Sequence, residues 1–153
     1  MPKDDFIDRS LRRRMIRSVK NEVRYLKRKG LDVVFNRNAT HSDFKEAFIH
    51  PVAKFIMEAS HGMPSGYLQL ANNEKFFPDE VKNSSNLQKV VLESCFQGDE
   101  KNLQRWQNVL GDDVDITAWE GQPSWESLID FNNSGKNNEN QPGNLMDVVK
   151  EVK

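Results

Sequence analysis

The side chains able to do chemistry are few: three histidines, His41, His50 and His61, and a single cysteine, Cys95. The histidines share no metal-like spacing and each stands beside turn-forming residues, which fits surface or capping roles. Cys95 would be a nucleophile only where a histidine approaches it in space, because the thiolate needs a base or a positive neighbour. The helical apolar pattern around it predicts an inert, buried thiol instead. His61-Gly-Met-Pro-Ser-Gly-Tyr67 has the form of an active-site loop, but its glycines and proline already account for a turn, and no partner acid or base accompanies it. No phosphate-cradling glycine loop, zinc quartet or serine-hydrolase elbow is found, so no cofactor, metal or catalytic residue is assigned and no enzymatic activity is expected.

The other candidate is Gly111-Asp-Asp-Val-Asp-Ile-Thr-Ala-Trp-Glu-Gly121, with carboxylates alternating between two glycines. A calcium loop of the EF-hand kind counted from Asp113 would find oxygen at Asp113, Asp115 and Thr117. It then fails, because Ala118 stands where the glycine is needed and Ser124 where the closing glutamate is needed.

The elements that would position these residues are read from apolar periodicity. Ile7, Leu11, Met15, Val19, Val23 and Leu26 recur at helical spacing, with Asp4 or Asp5 as cap and Gly30 as stop. Leu31-Asp-Val-Val-Phe35 predicts a strand or an extended connection. Phe44, Phe48, Val52, Phe55 and Ile56 predict a second helix over roughly 43–60, starting after Ser42 and kinked or split at Pro51. The same spacing predicts helices over Asn86–Phe96 (Leu87, Val90, Val91, Cys95), around Leu103, Trp106, Val109 and Leu110, around Trp125, Leu128 and Ile129, and over Leu145–Val152 after an Asn-rich loop at 132–143.

Gly111-Asp-Asp-Val-Asp115, a five-residue spacer, Gly121 and Gln122-Pro-Ser-Trp125 resemble the turn between ankyrin repeats. Val91-Leu-Glu-Ser-Cys-Phe-Gln-Gly98-Asp99 resembles the first helix of such a repeat and its Gly-containing turn. The resemblance spans about 88–153, on the order of two repeats, and lacks the Thr-Pro-Leu-His core. It implies a mainly α-helical, all-α protein: an ankyrin-like helix-turn-helix stack over 83–153, capped by helices within 1–82, forming one compact unit. It further implies a non-catalytic module or adaptor that binds another protein through the turn and groove, with Asp113, Asp115, Trp119 and Glu120 as contacts.

Charge carries the alternative. Residues 1–30 hold eleven Lys/Arg against four acids, an excess of +7, while the remainder carries −8. Arg13, Arg14, Arg17, Arg24 and Arg28 lie mostly off the apolar stripe and could track phosphates of a nucleic acid, or pair with the acidic remainder. A host-directed effector using both faces is a third reading. With no apolar run approaching the roughly 18 residues of a membrane span and no secretory signal, a soluble cytoplasmic or nuclear protein is expected, with no membrane partner. The partner's identity and the oligomeric state stay open.

Overall fold

Lys89-Val-Val-Leu-Glu93 is buried at all five residues, as expected of a central strand in a parallel sheet covered on both faces. The computed structural model describes residues 6–30, 32–82 and 86–134. Along them run α1 (Phe6–Arg28), α2 (His41–Ile49), β1 (Phe55–Ala59), β2 (His61–Gly62), β3 (Leu68–Gln69), β4 (Lys75–Phe76), β5 (Lys89–Glu93), α3 (Glu100–Leu110), β6 (Asp115–Ala118) and α4 (Trp125–Asn133). The described residues divide into two units, one within 37–122 and the other made of those within 6–36 and 123–134.

The first unit is mixed α/β, which overturns the expected mainly α stack. Its principal sheet has the order β1-β5-β6, and both pairings are parallel, with Ala59 opposite Glu93 and Lys89 opposite Asp115. The helix expected over Asn86–Phe96 is β5: a short β-branched run fits both periods, and burial on both faces decides for the strand. The expected helix over 43–60 ends at Ile49, because His50 must be extended before Pro51. Residues 55–59 then form β1. The helix starts one turn-signal earlier than expected, at Thr40, whose hydroxyl accepts from the Asp43 amide at 3.2 Å while the Asp43 carboxylate accepts from the Thr40 amide at 3.1 Å.

Gly111-to-Gly121 answers neither to a metal loop nor to a helix-joining turn. Gly111, at φ +88°, ends α3, a tight turn follows, and Asp115–Ala118 runs back as β6 beside β5. The ankyrin-like helix pair is therefore replaced by a strand–helix–strand unit. A second, antiparallel sheet of order β2-β3-β4 is formed by three two-residue strands. One face of the parallel sheet, with Ile56, Val90, Leu92, Ile116 and Ala118, packs against Phe44 and Phe48 of α2 and Trp106 and Leu110 of α3. Phe44 meets Phe76 edge-on at 4.7 Å, and Phe48 stacks on Trp106 at 6.1 Å.

In the second unit α1 packs along α4. Met15 and Leu26 are buried on α1, and Leu128, Ile129 and Phe131 on α4. Asn132 donates to the Ser18 hydroxyl at 3.1 Å, and that hydroxyl donates to the Met15 carbonyl at 2.7 Å. Gly30, at φ +86°, closes α1 where its position predicts. Asp4, Asp5, Leu31, the Asn-rich stretch beyond Ser134 and the expected helix over Leu145–Val152 lie outside the described residues.

Candidate functional site

Parallel strands deliver their carboxyl ends to the same edge of a sheet, and the residues that follow two paired strands become neighbours there. With Ala59 opposite Glu93, the next residues are Ser60 and Ser94, and then His61 and Cys95. The pairing does not fray at that point: the Ser60 amide donates to the Ser94 hydroxyl at 3.3 Å. Gly62 then lies directly on Cys95. A Cβ at position 62 would run into the Cys95 carbonyl oxygen and stand 3.0 Å from both its carbonyl carbon and its amide nitrogen, so only glycine allows this approach.

The thiol of Cys95 is half-buried. Burial pushes it above its ordinary value, against a smaller opposing pull from the backbone amides of Gly62 and of Cys95 itself. Immediately afterwards Phe96 adopts φ +67°, a backbone conformation that a bulky residue holds only when its surroundings enforce it.

Those surroundings are visible. The Phe96 amide donates to the Gly121 carbonyl at 2.7 Å and the Gly98 amide to the Trp119 carbonyl at 2.7 Å, stitching the turn after Cys95 to the segment after β6. A Cβ on Gly98 would sit 2.6 Å from the Trp119 carbonyl carbon. The Trp106 indole donates to the buried Gln97 side chain at 2.7 Å. Buried Asn102, on the first turns of α3, uses its side-chain nitrogen to tie both loops of the site: it donates to the Phe96 carbonyl at 3.0 Å and to the Pro64 carbonyl at 3.2 Å. Arg105 adds a bond to the Ser65 carbonyl at 2.8 Å. Asn102→Ala would leave two carbonyls short of a donor, and a loss of about 1–3 kcal/mol is expected in chemical denaturation. An unchanged midpoint would show that water replaces the amide.

The sequence-predicted residues are placed differently. Asp113 is exposed in the turn before β6, Asp115 opens the strand, and Trp119 (half-buried) and Glu120 (exposed) follow it. Four residues of strand separate Asp115 from Trp119 by about 13 Å, so the four do not form one contact surface. The Asp pair lies at the amino end of the sheet, while Trp119 and Glu120 lie at the carboxyl end, beside the Cys95 turn. Arg13, Arg14, Arg17, Arg24 and Arg28 are all exposed on α1; Arg14 pairs with Glu126 at 3.6 Å, and Arg24 donates to Asn21 at 3.3 Å.

Cys95 follows a strand, not the inner helix that its spacing predicts, and His61 belongs to β2, not to a bare turn. The signal was present as two apolar runs that end alike, Phe55-Ile-Met-Glu-Ala-Ser-His-Gly62 and Val90-Val-Leu-Glu-Ser-Cys95. His41 is engaged elsewhere: its Nε2 lies 2.7 Å from Glu80. Burial raises the Glu80 carboxyl, but the Phe77 amide and His41 together outweigh it and hold the group below its ordinary value. Among the described residues no three His, Cys, Asp or Glu side chains converge to hold a metal ion, and no helix is long and apolar enough to cross a membrane. Comparison with protein-family models, curated proteins and solved structures finds no match for this chain.

Proposed function

We propose that Cys95 and His61 are the nucleophile and base of an acyl-transfer site, the chemistry of a cysteine hydrolase acting on an amide or ester carbonyl. The observation that carries this reading is the seating of Gly62 on the backbone of Cys95 at the ends of two paired parallel strands, which sets His61 beside the point of contact. In the reaction, His61 takes the thiol proton and the sulfur attacks the carbonyl carbon. Negative charge builds on the carbonyl oxygen, where backbone N–H donors are worth most. Collapse breaks the bond to the leaving group, which departs with the proton held by His61. Water, deprotonated by the same imidazole, then cleaves the thioester and restores the thiol.

A groove of ankyrin type would need a helix pair that residues 88–121 do not form, which favours the sheet edge as the working surface. A lone cysteine used as a thiol suits a reducing compartment such as the cytoplasm. The test is the rate of Cys95 alkylation by iodoacetamide as a function of pH. A thiol held above its ordinary value needs a base to release its proton, so at pH 6 His61→Ala should react about tenfold more slowly than the native chain. Superimposable profiles would remove the base from the mechanism.

A second reading rests on α1, where Arg13, Arg14, Arg17, Arg24 and Arg28 all stay exposed. Such a face could follow a phosphate backbone. Binding to nucleic acid should then fall with salt with a slope of roughly 0.9 per phosphate neutralised, and reversing Arg13, Arg14 and Arg17 to Glu should flatten it. Absence of retention at low salt would dispose of this reading.

A further inference from the structure

Beneath the paired strand ends lies a buried carboxyl group that the acyl-transfer scheme does not use. Glu58 sits on β1, on the same sheet face as Ile56, and each of its two oxygens has one serine hydroxyl within hydrogen-bond distance: Ser60 Oγ lies 2.7 Å from Oε2, and Ser94 Oγ lies 2.7 Å from Oε1. The two serine oxygens are themselves 3.1 Å apart. Ser60 immediately precedes His61, and Ser94 immediately precedes Cys95.

Counting protons decides which form of Glu58 this arrangement fits. Three oxygen-to-oxygen links join three groups in a ring. An ionised carboxylate with two hydroxyls brings two protons, so one link has none. A neutral carboxylic acid brings a third, and every link is then a hydrogen bond: the acid donates to one serine, that serine to the other, and the second back to the carbonyl oxygen. The surroundings agree with a neutral group. Its neighbours on the sheet face are Val90, Leu92 and Ile116, and the core laid over that face is built from Phe44 and Phe48 of α2 and Trp106 and Leu110 of α3, all uncharged. The titratable groups nearest along the two strands are His61, Glu93 and Cys95; Glu93 alternates to the opposite face. Burial accordingly drives the Glu58 carboxyl up to about 7, against the opposing pull of the two serine hydroxyls.

Resting on the nucleophile–base reading of Cys95 and His61, we propose that Glu58 is a positioning residue: as a neutral acid it closes a hydrogen-bonded ring with Ser60 and Ser94 that fixes the ends of β1 and β5, and so fixes His61 relative to Cys95. The ring is a cross-strand clip at the last point before the two reactive residues. Ionisation removes the proton of one link, loosening the clip without unfolding the sheet.

The experiment measures how much of the iodoacetamide reactivity of Cys95 depends on His61. The rate with His61 present is divided by the rate in the matching His61→Ala chain, and this ratio is determined in the native, Glu58→Gln and Glu58→Ala backgrounds at pH 6 and pH 8, with folding followed by circular dichroism. A glutamine can replace the neutral acid in the ring, donating through Nε2 and accepting through Oε1. The ratio should therefore be about tenfold at pH 6 in both native and Glu58→Gln chains, fall to about twofold in Glu58→Ala, and decline more between pH 6 and pH 8 in the native chain than in Glu58→Gln. A folded Glu58→Ala chain with the native ratio overturns the proposal, as does a folded Glu58→Gln chain that behaves like Glu58→Ala. A native ratio of one overturns the nucleophile–base reading itself and this proposal with it, which distinguishes the two failures. Should Glu58→Ala not fold, Ser60→Ala breaks two links of the same ring, and the same ratio decides.

Discussion

Gly62→Ala is expected to slow alkylation of Cys95 at pH 6 by about tenfold, because the strand ends that hold His61 beside Cys95 must part, and to lower stability by about 1–3 kcal/mol through overpacking. The argument is steric. The added Cβ meets the carbonyl oxygen, carbonyl carbon and amide nitrogen of Cys95, all backbone atoms, so no side chain can swing aside. Relief requires the ends of β1 and β5 to separate, which carries His61 away from Cys95. Gly111→Ala is the informative control: nothing lies within 4 Å of a Cβ there, but φ is +88°. Its cost of about 1–2 kcal/mol comes from the left-handed backbone alone, and it should leave Cys95 reactivity unchanged. Thermal denaturation and alkylation rates of the two variants separate the effects. Equal reactivity in Gly62→Ala and the native chain would mean that the close contact has no bearing on the chemistry.

Where the chain announces its own punctuation, sequence and structure agree. Gly30 and Gly111 stop α1 and α3, and Pro51 marks a true end of helix. The period of short apolar runs is where reading from sequence alone fails. Leu87, Val90, Val91 and Cys95 satisfy helical spacing as well as a buried strand does, and only burial of every residue from Lys89 to Glu93 separates the two. The same ambiguity runs through Gly111–Gly121. A left-handed glycine followed by a tight Asp turn ends a helix whether a strand or another helix comes next. Ile116-Thr117, two β-branched residues in alternation, were the local hint of a strand. The site was illegible for a different reason. His61 and Cys95 are 34 positions apart, and nothing local says that the strands before them are paired and parallel. Once that register is known, the two similar run endings explain each other, and Glu58, which looks like an ordinary surface carboxylate in β1, becomes a buried acid.

That burial makes Glu58→Gln the variant with the clearest pH signature in stability. The carboxyl of Glu58 is raised from the ordinary 4.5 to about 7 in the folded chain, with burial as the largest cause. Between those values the unfolded chain has released its proton while the folded chain still holds it. The unfolded state binds fewer protons, so stability falls as pH rises through this window and levels off above about 7. Below about 4.5 both states are neutral at this position and the penalty vanishes. The displacement corresponds to roughly 3 kcal/mol as an order of magnitude. Glutamine keeps the neutral ring and does not titrate, so Glu58→Gln should match the native chain near pH 4 and exceed its stability by roughly 3 kcal/mol at pH 8. Denaturant unfolding of both chains at pH 4, 5.5 and 8 measures the difference at each pH, which cancels the titration of every other group. A difference that stays constant across the three would show that Glu58 has the same proton affinity folded and unfolded, and that the carboxyl group is reached by water. A rising difference would place beneath the ends of β1 and β5 an acid that stays neutral below about pH 7 and whose ionisation above it loosens both strand ends.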